Sequence, residues 1–492
     1  MKILLYLAAG NGYGYFRDEL YFLACTEHIA WGYPDHAPLS VFAARFSRDI
    51  FGDSLYAIRL FPALSGALKI VLTGLLVREF GGRWMAMLLA CLSVLGAPFF
   101  LVSDNLLAMN TYEPIFWMGC ALAYIWAVKR EDPRYWLLFG ACAGLGTMNK
   151  HSAAFFCIAF VIGLVLTPDR KFFKSKYLWL AAVLAFAIFL PNLIWQYQNN
   201  WATLELLRNV QTTGKNVVLG PLEFVLQQAL LILPLTAPIW IAGLWYLLFD
   251  RAGKRFRSLG IAYVVTLAIM IALKAKNYYL APVYPILLAA GGVFWEQLLD
   301  RSRIGRAVGY AYAALLIVGG AIFAPIALPL LPVEKFVAYQ KSIGIEPPKT
   351  EVGHSGPLPQ HFGDMFGWPE MVEKVAGVYN SLPPDERSRA AIYGSNYGEA
   401  GAIDHYGPAY GLPKAISPHQ SYFMWGPRNY DGSVIILLGS ERSEAEGECD
   451  SVEERETVGH PYAMAEEHFN IIICRGLKSP LPAVWNDLKH WN

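Results

Sequence analysis

The chain has 492 residues, of which 55% are hydrophobic and 16% charged, with a formal net charge of +1 and a mean hydropathy of +0.34. A soluble domain carries roughly a quarter charged residues, so the composition excludes an ordinary soluble globular protein, and nothing in the charge balance calls for nucleic acid. The shortfall lies between about Ile58 and Leu331, where apolar runs of roughly 17–25 residues recur, the length a bilayer demands. The expected class is a polytopic α-helical membrane protein.

The opening MKILLYLAAG has too few apolar residues before the Asn11–Gly14 cluster to span a bilayer. It is also too short for a signal peptide and lacks a small-residue cleavage site. It reads as the end of a first membrane helix whose start lies upstream. The next stretch, RDELYFLACTEHIAWGYPDHAPLS from Arg17 to Ser40, holds two acidic sites, Asp18–Glu19 and Asp35–His36. Two short amphipathic helices are expected, Asp18–Trp31 and Leu39–Phe51, with the chain broken at Gly32–Pro34 and Pro38. Both are expected to lie along the membrane interface, within a first outer loop over residues 10–56.

Candidate spans follow at Ile58–Val77, Trp84–Val102, Thr111–Val128, Tyr135–Met148, Ser152–Thr167 and Tyr177–Ile194. After a polar loop come Leu222–Phe249, Leu259–Leu273, Tyr278–Trp295 and Ala307–Leu330. That makes about ten full spans. Every second connection is rich in Lys and Arg: Arg78 and Arg83, then Lys129, Arg130 and Arg134, then Arg170, Lys171, Lys174 and Lys176. Arg251, Lys254, Arg255 and Arg257 follow, and then Arg301, Arg303 and Arg306. The positive-inside rule makes these loops cytoplasmic. The loops Arg17–Ser40, Ser103–Glu113, Asn149–Ser152, Trp195–Gly220 and Lys274–Tyr279 then face outward, as does the tail from about Pro332.

That tail, residues 332–492, has an ordinary globular composition. Strand candidates at Ala391–Tyr393, Ser433–Leu438 and Phe469–Cys474, with helical patterning at Pro369–Tyr379, suggest a small extracytoplasmic α/β domain behind a membrane domain of residues 1–331. Of the seven cysteines, Cys91, Cys120, Cys142 and Cys157 read as small buried hydrophobes. Cys449 and Cys474 lie in the polar tail and either pair, if that region is outside the cytoplasm, or remain thiols. Aromatic residues at Asn396–Tyr410 and Tyr422–Tyr430 suit either sugar stacking or the core of a small domain.

Ionisable residues near membrane depth are costly and usually functional. The outward side collects Asp18, Glu19, Asp35, Asp104 and Glu113, with the cations Arg17, Arg59, Lys150, Lys274 and Lys276 and the nearby His36 and His151. Singly, each is as readily a solvated loop charge; together, they sit at the ends of helices that must pack. Glu113, followed by Pro114, either complements a helix dipole or points into a cavity. Lys69 lies in mid-span and snorkels or lines a groove. GLGTMNKHS around Lys150 lacks the glycine a phosphate loop requires before its lysine, and GNGYG lacks a strand–turn–helix setting, so neither binds a nucleotide.

Carboxylates and cations on interfacial helices suit a lipid-linked phosphate substrate. A carboxylate takes the proton of an acceptor hydroxyl, and cations stabilise a departing phosphate. RDELYFLACTEHIAWGYPDHAPL and FGDSLYAIRLFPAL resemble the first extracytoplasmic loop of bacterial family 39 glycosyltransferases, membrane enzymes related to protein O-mannosyltransferases and to the aminoarabinose transferase of lipid A. TYEPIFW, GLGTMNKHSA, LPNLIWQYQNNWATLELLRN and KAKNYYLAPVYPILLAAG extend the resemblance over most of the chain. DHAPL departs from the DHPPL found in many relatives.

The resemblance implies an all-α GT-C membrane fold, a polyprenyl-phosphate sugar donor, membrane lipid as a partner, and transfer with inversion to a protein, lipid A or envelope-glycan hydroxyl. It places the family's acidic pair on Asp18, as general base, and Glu19, and its second acidic site on Glu113. Donor-phosphate contacts fall on Lys150, Lys276 and Tyr278 and on Arg59, which matches the family's helix-start Arg and is alternatively structural, with Asp35, His36 and Asp104 in the substrate-site loop. Apart from the resemblance, the residues leave the cofactor open: Lys and Arg alone can hold a monophosphate, or Glu19, Asp35 and His36 form a divalent-metal site. The expected setting is the cytoplasmic (inner) membrane, with the site on the outer face. The rival reading is a lipid or sugar transporter or flippase, which calls for deep charges, broken midplane helices and inverted repeats.

Overall fold

The computed structural model describes residues 1–214, 217–344 and 356–491. Parts of two expected segments lie outside the described residues: 215–216 of the loop Trp195–Gly220, and 345–355 with 492 of the tail.

α1 (Lys2–Ala9) precedes the first outer loop, which holds α2 (Arg17–Glu27) and α3 (Leu39–Phe51). α3 spans the expected residues, whereas α2 ends at Glu27, before the expected Trp31, and is packed inside the protein instead of lying along the interface. Its residues Leu20 to Thr26 are all buried. The amphipathic α3 does keep an apolar exposed face, with Phe46, Ile50 and Phe51.

The helical body comprises α4 (Leu55–Phe80), α5 (Trp84–Gly96), α6 (Pro98–Ser103), α7 (Met109–Lys129), α8 (Tyr135–Asn149) and α9 (Ala153–Val165). It continues through α10 (Lys176–Gln198), α11 (Ala202–Thr213), α12 (Pro221–Leu231), α13 (Ala237–Leu248), α14 (Arg257–Ala272), α15 (Tyr284–Leu299) and α16 (Arg303–Ala327). Among the described residues, five helices are long and apolar enough to cross a membrane, or up to seven if each bent pair counts as one span. This is fewer than the ten expected from hydropathy. Pro98 splits Trp84–Val102 in two, and α5 with 13 residues and α8 with 15 are short for a bilayer. Leu222–Phe249 is likewise broken before Pro234, where the two halves meet at 97°.

Serine caps start several of these helices. Ser54 accepts from Ala57 N, and Ser302 from Gly305 N. The core is built around α15, the most enclosed of the long apolar helices. It crosses α13 so closely that a Cβ on Gly243 would sit 1.9 Å from Leu287 O, and one on Gly291 1.8 Å from Ile239 O. Only glycine permits that approach.

Beyond the membrane body lie α17 (Val333–Ser342), α18 (Gln360–Gly363), α19 (Trp368–Ser381), α20 (Pro384–Arg387) and α21 (Tyr397–Tyr406). The four-stranded sheet has the order β1 (Ala391–Gly394), β2 (Val434–Leu438), β4 (Phe469–Leu477), β3 (Cys449–Val458). β1 and β2 are parallel, and the other pairings are antiparallel. Three strands and the helix match expectation. β3, CDSVEERETV, is the unexpected one. Cys449 and Cys474 form a disulfide between β3 and β4.

The apolar core of this sheet region is shared with the first loop. Leu20, Phe22 and Ala24 of α2 belong to the same buried cluster as Val372, Ala400, Ile403 and Ile436. The core therefore runs across the expected boundary at 331/332, and α2 is packed beneath the C-terminal sheet region.

Candidate active site

Two neighbouring carboxylates at the start of α2 have opposite surroundings. Glu19 is fully buried. It receives Arg59 Nε at 2.9 Å and Nη2 at 2.7 Å, and also accepts the backbone N–H groups of Phe16 and Leu107 at 3.0 Å each. Arg59, equally buried, spends its remaining donors on Gly10 O and Gly14 O, both at 2.9 Å. All four of these contacts to Glu19 and all three of the Arg59 nitrogens are engaged. The pair is a strut fixing the first loop to α4 and to the loop before α7. This geometry selects the structural alternative for Arg59 over a phosphate contact, and gives Glu19 a bracing role in place of the expected catalytic or metal-ligating one.

Asp18, one residue earlier and so about 100° around the helix, remains partly exposed. Its Oδ1 accepts the hydroxyl of Tyr397 at 2.8 Å. Asp35 lies nearby and accepts the hydroxyl of Tyr21 at 2.9 Å. That hydroxyl also meets Ser421 Oγ at 2.6 Å. Burial raises the Asp35 carboxyl above its ordinary range; His36 opposes the rise, and Asp18 adds to it by like-charge repulsion. The His36 ring is buried against Phe22, 4.7 Å between centroids. Its Nδ1 is 3.1 Å from Ala37 O and its Nε2 3.9 Å from Asp35 Oδ1.

The second half of the site is built by α7, the end of α8 and the turn before α15. Lys150, the residue closing α8, places Nζ 3.2 Å from Glu113 Oε2 and 2.7 Å from Asn110 Oδ1. The same ammonium lies 4.0 Å from the centroid of Tyr279 and 5.6 Å from that of Tyr278. Ser152 donates to the other oxygen of Glu113. Tyr278 stacks on Phe99. Lys276 is half-buried at the start of the same turn.

The first loop is stitched onto this half. Ser40 Oγ donates to Asn149 Oδ1 at 2.9 Å, and Asn149 Nδ2 to Met109 O at 2.8 Å. His151 Nε2 is 3.1 Å from Asn192 Oδ1, whose Nδ2 donates to Trp31 O. Burial lowers the His151 imidazole from its ordinary value; the bond to Asn192 opposes this, and repulsion from nearby His36 adds to it. The sequence-selected residues Asp18, Asp35, His36, Lys150, Glu113 and Tyr278 thus line one polar seam. Asn110, Ser152, Tyr21, Tyr279 and Tyr397 were missed. Ser152 and Tyr279 adjoin selected residues in the chain, whereas Tyr397 lies in the aromatic stretch Asn396–Tyr410, whose sequence does not tie it to Asp18.

Asp104 stands apart from the Glu113–Lys150 group. It is buried against Lys69, its ion-pair partner, with Lys2 Nζ at 2.7 Å. Lys69 therefore neither snorkels nor lines a groove, and Asp104 serves a buried ion cluster of α1 and α4, not the substrate loop. The metal expectation also fails the fit. Among the described residues no three His, Cys, Asp or Glu side chains are grouped to hold an ion, and Arg59 occupies both carboxylate oxygens of Glu19.

A family model described as dolichyl-phosphate-mannose-protein mannosyltransferase matches residues 35–195. No curated protein sequence matches the chain. Among solved structures, ArnT from Cupriavidus metallidurans bound to undecaprenyl phosphate is similar, with TM-score 0.63, 14% identity and 96% of each chain covered. The apo state of ArnT matches with TM-score 0.58 at 14% identity, covering 94% of this chain and 93% of that one. The archaeal oligosaccharyltransferase AglB from Archaeoglobus fulgidus, in complex with an inhibitory peptide and a dolichol-phosphate, matches with TM-score 0.50 at 14% identity, over 87% of this chain and 66% of that one. The chain is thus a multi-pass membrane protein of the GT-C fold.

Proposed function

We propose that this chain moves a sugar from a polyprenyl-phosphate donor to an acceptor hydroxyl, with inversion at the anomeric carbon. The observation that carries the reading is that the first loop, which bears the partly exposed Asp18, is hydrogen-bonded to Asn149, the neighbour in the chain of Lys150 in the buried Lys150–Glu113 pair. One carboxylate free to take a proton thus lies in the same seam as a desolvated cation. The similar ArnT structure is bound to undecaprenyl phosphate and the AglB structure to a dolichol-phosphate, which supports a lipid-phosphate donor.

Asp18 removes the acceptor proton as the acceptor oxygen attacks C1. The bond from C1 to the phosphate oxygen breaks, and polyprenyl phosphate leaves. Lys150, and Lys276 at the start of the tyrosine turn, stabilise the charge developing on that phosphate. Glu113 and Asn110 hold the Lys150 ammonium in place, and Tyr279 covers it. A single displacement on C1 inverts its configuration. A phosphate monoester is held by lysines without a metal.

The Lys- and Arg-rich alternate loops support a site on the outer face of the cytoplasmic membrane. The Cys449–Cys474 disulfide supports the same orientation for the C-terminal region. Acceptor class and sugar are read from the labelled product. The test is release of free polyprenyl phosphate in proteoliposomes offered polyprenyl-phosphate sugars and membrane extract. Acceptor-dependent release that Lys150→Ala removes supports the reading; equal release by both proteins contradicts it.

A further inference from the structure

Asp18 accepts a side-chain hydrogen bond from the far end of the chain, from the Tyr397 hydroxyl at 2.8 Å. Tyr397 opens α21, whose start is fixed by Asn396. The Asn396 side chain accepts from Gly398 N at 2.8 Å and Glu399 N at 3.0 Å. The helix then lies directly on α2. A Cβ on Gly401 would come within 3.0 Å of the Leu20 carbonyl carbon, and one on Gly398 within 2.4 Å of Arg17 Cγ. These two glycines let the helices touch, and that contact brings the Tyr397 hydroxyl to Asp18.

The phenol ring is itself confined. It lies 4.7 Å from the Tyr21 ring and 4.8 Å from His419, with the Arg17 guanidinium 5.4 Å from its centroid. Arg17 is anchored to the C-terminal region by Glu466 at 2.6 Å and Asp364 at 3.7 Å. The charged and titratable groups around Asp18 are therefore Arg17 on its own helix, Asp35 with His36 from the following loop, and Tyr397 from α21. Glu466 and Asp364 act through Arg17, and His419 lies behind Tyr397. Within this set the Tyr397 hydroxyl is the neutral donor aimed at the Asp18 carboxylate.

We infer that Tyr397 is the positioning residue of the general base: its hydroxyl favours the ionised Asp18 and aims it, so that the C-terminal region completes the catalytic centre. This rests on Asp18 being the base. A donor to a carboxylate stabilises its charged form, and a tyrosine ring turns too little to release it. The C-terminal region is then required for chemistry as well as for any acceptor contact.

The test compares wild type, Tyr397→Phe and Asp18→Asn as full-length protein in proteoliposomes. Turnover is read with radiolabelled undecaprenyl-phosphate hexoses and pentoses and membrane extract. In parallel, infrared titration follows the carboxylate band that Asp18→Asn removes. The expected result is that Tyr397→Phe lowers kcat by about ten- to a hundredfold with little change in donor KM. The acidic limb of its rate profile and the infrared titration of the Asp18 band both move to higher pH. If the variant titrates with wild type, or slows equally at every pH, the inference is overturned. Should Asp18→Asn keep its activity, the base reading falls instead, while the infrared titration still decides whether Tyr397 holds Asp18.

Discussion

Lys150 and Glu113 come from different helices and meet 3.2 Å apart, both buried, under the ring of Tyr279. A desolvated ammonium so placed is costly unless its carboxylate partner or a bound anion compensates it. Lys150→Ala is expected to cut kcat/KM for a polyprenyl-phosphate donor by about a hundredfold or more, the scale for removing one stabilising donor of developing charge. Lys150→Arg recovers part of this. Glu113→Gln costs less than Lys150→Ala, because Asn110 still holds the ammonium. Initial rates at varied donor concentration separate these cases.

Arg59 and Glu19 carry a different expectation. Removing one member of a buried, fully bonded pair costs about 3–5 kcal/mol. Arg59→Ala and Glu19→Ala are therefore expected to lower the melting temperature in detergent and the yield of folded protein. Replacing both by apolar side chains of similar size restores part of the stability. A single variant that folds as wild type but loses only transfer activity would contradict the structural role.

This pair also shows where sequence reasoning reached and where it stopped. The loop Arg17–Ser40, its two helices and the seam residues Asp18, Glu113 and Lys150 were legible because charges stand out against apolar surroundings. Which of Asp18 and Glu19 is free to react was not legible. That depends on one helical step and on Arg59 arriving from α4. Hydropathy counted Trp84–Val102 and Leu222–Phe249 as single spans, since a window average does not register a break at Pro98 or Pro234. β3 was missed because CDSVEERETV is an edge strand with a charged face and lacks the apolar alternation that marks its neighbours. The role of Asp104 was misjudged because its partners Lys69 and Lys2 are brought to it only by packing.

The Cys449–Cys474 bridge ties the charged edge strand to the centre of the sheet. Its loss, by reduction or by paired serine substitution, is expected to destabilise the C-terminal region by about 2–4 kcal/mol. Thermal melts with and without dithiothreitol check this. Unchanged melting would show that the bridge contributes nothing to the fold.

Burial raises the Glu399 carboxyl from 4.5 to about 7, against hydrogen bonds from Ser395 and Asn396 that favour its charge. Between about pH 4.5 and pH 7 the folded chain keeps a proton on Glu399 that the unfolded chain has released. Its contribution to stability is present below pH 4.5 and declines as pH rises through that window. Glu399→Gln removes this dependence. The stability of the variant relative to wild type is expected to rise from pH 4.5 to 7 and then level off; a constant difference across that range would contradict the assignment.

The central claim is that Asp18 and Lys150 form one centre that moves a sugar off a lipid phosphate. The most direct measurement follows radiolabel in membranes expressing this chain, beside equal amounts of Asp18→Asn, with labelled polyprenyl-phosphate sugars as donors. The account predicts that label passes from the lipid to a second component with the wild-type chain and stays in the lipid with Asp18→Asn. Equal transfer by both proteins would contradict it.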